Sequence, residues 1–177
     1  MRARPPRRPR TRSTPEFGHR LTIVTAGRTG PNRDLRFGGD LSLDDAGRRT
    51  VNDLRRTVSD MGRTVSGPEA VALETSALLS GQFDVDDALR TMDFGEWAGK
   101  LPEEIDPSAL GLWFSTPDAC PHGGETVADF VARIHDWRAS ATFGVCVVSM
   151  PVAQALLVDY AAGYFAIEVR PATSYQL

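Results

Sequence analysis

The sequence contains little cysteine, histidine or lysine, and no long apolar run. Two cysteines in 177 residues, Cys120 and Cys146, are too few for a disulfide scaffold. The three histidines lack the spacing of a metal site, and no glycine-rich loop has the context of a nucleotide-binding motif. No apolar stretch approaches the roughly 18–20 residues that a membrane-spanning helix needs. These absences predict a protein with no metal, no cofactor and no membrane partner.

The rest of the composition is that of an ordinary globular protein, with 41% hydrophobic and 24% charged residues. A length of 177 residues corresponds to one domain. The charge is unevenly placed, because residues 1–20 carry a net +6 and residues 21–177 carry −9. An acidic body argues against a nucleic-acid partner.

Residues 1–19 combine arginines with four prolines and almost no apolar side chain. Burial cannot offset the ordering entropy of such a segment, so we predict a disordered tail followed by a single domain over residues 20–177. The tail is either an arm for a nucleic acid or another anionic surface, or a solvated, misassigned or vector-derived segment. We favour the second group, since runs of like charge are usually solvated. No apolar secretory core is present, so we expect a cytoplasmic protein.

From residue 20 onwards, short β-branched runs alternate with helical patterns. The predicted strands cover residues 21–24, 64–66, 83–85 and 143–149, with an edge strand over 170–177. The first predicted helix starts at Asp44 and has Val51, Leu54 and Val58 on one face. Further predicted helices cover residues 68–79, 101–105, 108–114, 126–140 and 151–162. This alternation is typical of a three-layer α/β/α sandwich around a mainly parallel central sheet. The loops 25–30 and 149–151 are expected to meet at the carboxyl ends of its strands.

Several motifs in this order resemble a known family. Residues 21–32 read LTIVTAGRTGPN, and RFGGD and LDDAGRR follow at 36–40 and 43–49. Further along are LRTMDFGEWAG at 89–99, PHGGET at 121–126 and VVSMP at 147–151. From residue 20 to about 160 the chain is therefore similar to the histidine phosphatase superfamily, the phosphoglycerate mutase-like proteins. The resemblance implies the fold predicted above.

The departures from the family pattern concern its chemistry. The family uses a nucleophilic histidine preceded by an arginine, a second arginine, a carboxylic general acid and a second histidine. The positions that match these five groups hold Thr25, Ala26, Val71, Thr91 and Met150. Phosphoryl transfer depends on positioning and cationic stabilisation, and loss of one nucleophile costs about 10³- to 10⁶-fold in rate. The resemblance therefore implies that no catalytic residue of the family remains.

The expected function is that of a catalytically degenerate member of this family. We expect it to bind a small molecule or a protein partner without phosphoryl transfer, and a homodimer is compatible with the sequence. Two alternatives stay open: a repurposed enzyme that uses the same pocket for non-phosphoryl chemistry, and a divergent phosphatase or mutase.

Five polar residues near these positions are candidate ligand contacts: Arg28, Asn32, Arg36, His122 and Glu125. For His122, a general-base role competes with the interpretation as a surface-loop histidine, which we favour because no partner is evident in the sequence. For Glu125, stabilisation of the following helix N-terminus is the favoured alternative. Cys146 falls in a buried strand and is expected to be inert.

Overall fold

The computed structural model describes residues 21–30, 36–58, 61–141 and 144–177. The predicted tail and Asn32 lie outside these residues. Five strands form one sheet: β1 (Thr22–Thr25), β2 (Thr64–Ser66), β3 (Asp84–Val85), β4 (Val145–Val148) and β5 (Ser174–Gln176). The strand order is β3-β2-β4-β1-β5, and only β5 runs antiparallel to its neighbour. The mainly parallel sheet and the antiparallel edge strand confirm the predicted fold class.

The described residues form five α-helices: α1 (Asp45–Arg55), α2 (Ala70–Leu79), α3 (Pro107–Ser115), α4 (Val127–Ser140) and α5 (Met150–Leu157). Short 3₁₀ turns occupy Asp87–Leu89, Gly95–Trp97, Pro102–Glu104 and Ala161–Ala166. In the described part of the chain, no helix has both the length and the apolar character of a membrane span.

The sheet has a buried apolar core on each face, because successive side chains of a strand point to opposite sides. Ile23 of β1 packs with the core that includes α4 and α5, whereas the next residue, Val24, packs with the core that includes α1 and α2. Val148 and Val147 of β4 divide in the same way. Two helical layers therefore enclose one sheet.

The helix ends correct three details of the prediction. Val58 lies beyond α1, which ends at Arg55, although the Asp44 side chain caps its start by accepting the N–H of Gly47 at 2.6 Å. Pro68 lies outside α2, because Glu69 is the extended residue that precedes the first helical residue. Helix α5 ends at Leu157 rather than at residue 162, since Val158 is extended.

Candidate functional site

A cavity of about 640 Å³ opens at the carboxyl ends of the parallel strands. Loops after β1, β2 and β4 contribute to its wall, so the loops 25–30 and 149–151 meet there, as their positions in the sequence predicted. Ligand sites in open parallel sheets occur at this edge, and a volume of this size suits a small organic molecule.

Four of the five positions that match the family's reacting groups line this cavity: Ala26, Val71, Thr91 and Met150. Ala26 and Val71 are buried in the core beneath the cavity, and Met150 is 40% exposed at its mouth. None of these four side chains carries a charge at neutral pH, and only Thr91 has a hydrogen-bonding group.

Thr25 does not line the cavity, because its side chain is turned towards the C-terminal segment. The hydroxyl donates to the carbonyl of Arg170 at 2.5 Å and accepts the N–H of Thr173 at 2.9 Å. Thr25 is fully buried. These bonds tie the segment before β5 to β1.

The two arginines of the wall are bound to acceptors of the chain itself. Arg28 pairs with Asp44 at 2.8 Å and thereby lowers the pKa of that carboxyl group. Arg36 donates to the carbonyl of Gly99 at 2.8 Å and lies 3.8 Å from a carboxylate oxygen of Glu104. Both guanidinium groups are more than half exposed, so these pairs are weak.

Two acidic residues of the wall, Glu69 and Asp40, were missed from the sequence. Glu69 Oε1 accepts the N–H of Thr91, and Glu69 Oε2 is buried without a partner among the described residues. Burial raises the pKa of the Glu69 carboxyl group. Asp40 Oδ1 accepts the N–H of Ala70 at 2.7 Å, at the start of α2. The signal in the sequence was that Glu69 falls in the first turn of the predicted helix 68–79, where carboxylates are stabilising.

Ser149 is the residue between β4 and α5, and it also lines the cavity. Its side chain is only 8% exposed, and its hydroxyl has no hydrogen-bond partner in the described chain. The sequence placed this residue at the end of the predicted strand 143–149 and the start of the loop 149–151, and gave it no role.

His122 and Glu125 lie outside the cavity wall. His122 is fully buried, so its interpretation as a surface-loop histidine is wrong. Its ring lies 5.0 Å from that of Trp97, its Nδ1 accepts the N–H of Gly124 at 3.1 Å, and burial lowers its pKa. Glu125 forms a two-pronged pair with Arg133, at 2.8 and 2.9 Å. These contacts fix the loop that contains His122 and Glu125.

Two glycine-containing motifs of the sequence, FGEW at 94–97 and PHGGET at 121–126, pack against each other. A Cβ on Gly95 would lie 2.2 Å from the carbonyl oxygen of His122, and one on Gly124 would lie 2.2 Å from that of Asp93. The N–H of Glu96 donates to the carbonyl of His122 at 2.8 Å. Gly95 and Gly124 are therefore needed for the packing of these loops, since any side chain would prevent the contact.

Cys146 is fully buried in β4, and burial raises the pKa of its thiol to about 12. It is therefore an inert apolar residue, as predicted. Cys120 lies 3.9 Å from His122 Nδ1 and donates to the carbonyl of Gly124 at 3.2 Å. Across the described residues, no group of three histidine, cysteine or acidic side chains has the geometry of a metal site.

Known proteins share the fold described above. The family model of the histidine phosphatase superfamily (branch 1) matches residues 21–163. A mycobacterial glucosyl-3-phosphoglycerate phosphatase has 24% sequence identity and a TM-score of 0.72, over 89% of this chain and 88% of that chain. A structure described as mycobacterial hydrolase 1 has 26% identity and a TM-score of 0.72, over 89% and 90%.

A structural neighbour with lower sequence identity is a putative α-ribazole-5'-phosphate phosphatase from Escherichia coli K-12. It has 17% identity and a TM-score of 0.75, over 89% of this chain and 88% of that chain. Comparison with curated proteins gives no match by sequence.

Proposed function

The chain belongs to the histidine phosphatase superfamily, and we propose that it is a catalytically degenerate member that binds a small molecule without transferring a phosphoryl group. One observation carries this proposal. Ala26 and Met150, which match the two family histidines in sequence, lie in the wall of one cavity at the carboxyl edge of the sheet.

The chemistry of the wall supports this proposal. A phosphohistidine reaction needs a nucleophilic nitrogen and a cationic cradle for the spread negative charge of the transferring group. A methyl group at Ala26 and an isopropyl group at Val71 supply neither. The full set of family groups acts as a unit, so its combined absence leaves no residue to which the rate enhancement can be assigned.

The charges of the wall argue in the same direction. Each arginine of the wall already has a carboxylate within 4 Å that offsets part of its charge: Asp44 for Arg28 and Glu104 for Arg36. Asp40 and Glu69 would repel a phosphate dianion, which would also have to lose its hydration in the cavity. An uncharged ligand avoids both penalties, and a cationic ligand avoids the repulsion.

A divergent phosphatase is the second candidate, favoured by the names of the structural neighbours. One of them is described as a glucosyl-3-phosphoglycerate phosphatase, so its substrate class is the relevant one to test. For this candidate the nucleophile would have to be a group outside the family pattern, since His122 is buried away from the cavity.

The test is a measurement of phosphate release from p-nitrophenyl phosphate, phosphoserine and glucosyl-3-phosphoglycerate. The mycobacterial glucosyl-3-phosphoglycerate phosphatase serves as the active control, because its fold matches over 89% of this chain. We expect no phosphate release above the rate in buffer alone, at protein concentrations at which the control enzyme hydrolyses its substrate within minutes. Sustained turnover that survives rigorous purification would favour the second candidate.

A further inference from the structure

Two polar groups in the cavity wall have no hydrogen-bond partner in the described chain: the hydroxyl of Ser149 and Oε2 of Glu69. The Ser149 side chain is more than nine-tenths buried. Buried polar groups are nearly always paired, so this hydroxyl is free to bond water or a ligand. Ser149 is therefore a polar group of the cavity wall with unused hydrogen-bonding capacity.

The acidic residues of the cavity wall lack ion-pair partners. Among the described residues, neither Asp40 nor Glu69 forms an ion pair, whereas both arginines of the wall have their own acceptors. The charge of Arg133 also lowers the pKa of Glu69 slightly, but the guanidinium group of Arg133 is bound to Glu125 and to backbone carbonyls. Two carboxylates without a cationic partner favour a positively charged ligand group.

Much of the remaining wall is apolar. Its larger apolar side chains are Phe37, Leu41, Val71, Phe94 and Met150. Burial of apolar ligand surface against such side chains is favourable, and small-molecule sites generally combine a wall of this kind with a few polar groups.

We propose that the cavity binds a small molecule with an apolar body and a protonated amine, and that the amine lies beside Ser149, Glu69 and Asp40. The apolar body then covers Phe37, Phe94 and Met150. This inference rests on the proposed function, because it takes the cavity as a binding site rather than as a phosphoryl-transfer site.

The test uses three probes with one apolar body and different head groups: 4-phenylbutylamine, 4-phenylbutanol and 4-phenylbutyl phosphate. Their affinities are measured by protein NMR titration, with phosphate release from the third probe followed in parallel. We expect the amine to bind at least about tenfold more tightly than the alcohol, and the phosphate ester to bind more weakly than either. Equal binding of amine and alcohol overturns the inference, as does a lack of amine binding at millimolar concentration.

Variants then locate the amine. Glu69→Gln and Asp40→Asn keep the oxygens that accept the N–H groups of Thr91 and Ala70 but remove the charge. We expect each to weaken amine binding about five- to tenfold and to leave alcohol binding within twofold. Glu103→Gln, at an exposed acid outside the cavity wall, is the matched control and should change nothing.

The outcomes separate this inference from the proposed function. Tight binding of the phosphate ester without phosphate release overturns the amine preference and leaves a non-catalytic protein. Release of phosphate from the ester overturns the proposed function itself. Equal amine affinity in Glu69→Gln, Asp40→Asn and the unmodified protein overturns the assigned place of the amine.

Discussion

The carboxylate of Glu69 accepts a hydrogen bond from the backbone N–H of Thr91, which joins the start of α2 to the segment after the Asp87–Leu89 turn. Thr91 matches the family's general acid in sequence, so a carboxylate from another part of the chain lies beside that position. Arg133 holds the same segment from the other side, through the carbonyls of Ala88 and Arg90. The segment 88–91, which contributes Thr91 to the cavity wall, is therefore held in place by hydrogen bonds from two parts of the chain.

We expect Glu69→Ala to lower the free energy of unfolding by about 1–2 kcal/mol, because the Thr91 N–H loses its acceptor. Glu69→Gln retains an acceptor oxygen and should lose less than half as much. Urea unfolding measures both, with Glu103→Ala as the exposed control. Equal stability of the Ala and Gln variants would show that the bond to Thr91 contributes nothing.

The close packing of the two glycine loops is tested by Gly124→Ala. A Cβ there would lie 2.2 Å from the carbonyl oxygen of Asp93, so we expect a loss of about 2–3 kcal/mol in unfolding free energy. Gly111→Ala is the matched control, because it lies within α3 with no atom inside 4 Å of the added Cβ. The control should gain about 0.5–1 kcal/mol. Similar effects of the two substitutions would contradict the structural reason given for the motif.

Arg133→Ala tests the pair that holds the 88–91 segment. It removes two bonds to Glu125 and the bonds to backbone carbonyls, and it leaves a largely buried carboxylate unpaired. We expect a loss of about 2–3 kcal/mol by thermal or urea unfolding. Arg56→Ala breaks an exposed pair with Asp53 and should cost about 0–0.5 kcal/mol. A loss for Arg133→Ala as small as this control would reject the positioning role.

The buried imidazole of His122 predicts a pH dependence of stability. Burial lowers its pKa in the folded protein below the ordinary 6.5, so the unfolded chain takes up the proton first. Its contribution to stability is therefore complete above about pH 6.5 and is lost as the pH falls through the folded-state pKa. We expect the stability advantage of the unmodified protein over His122→Asn to shrink between pH 7 and pH 5, as measured by urea unfolding. A constant difference over this range would show that the ring does not titrate in this way.

The sequence predicted the sheet and its helices well because β-branched runs and helical periodicity are local signals. It misplaced the end of α5 because Val158 and the following 3₁₀ turn are set by packing: Tyr164 is buried against the core of α4 and α5. The pattern of apolar residues alone did not contain this information.

The candidate site was less accessible to sequence reasoning. The fold that the family resemblance implied brings Ala26, Val71, Thr91 and Met150 to one cavity. The roles of Thr25 and His122 depended on where each side chain points, and a sequence records residue types rather than directions. Glu69 and Ser149 were missed because neither occupies a position that matches a reacting group of the family, although Ser149 lies within the motif at 147–151; only the unpaired oxygen atoms identify them.

The central claim is that the protein transfers no phosphoryl group, and intact-protein mass spectrometry tests it most directly. The protein is incubated with p-nitrophenyl phosphate and glucosyl-3-phosphoglycerate, quenched under conditions that preserve phosphohistidine, and compared with the mycobacterial phosphatase treated in the same way. We expect only the unmodified mass, with phosphate release at the buffer rate. A phosphoryl group on any of the three histidines of the chain, formed and discharged at a rate that matches turnover, would contradict the claim.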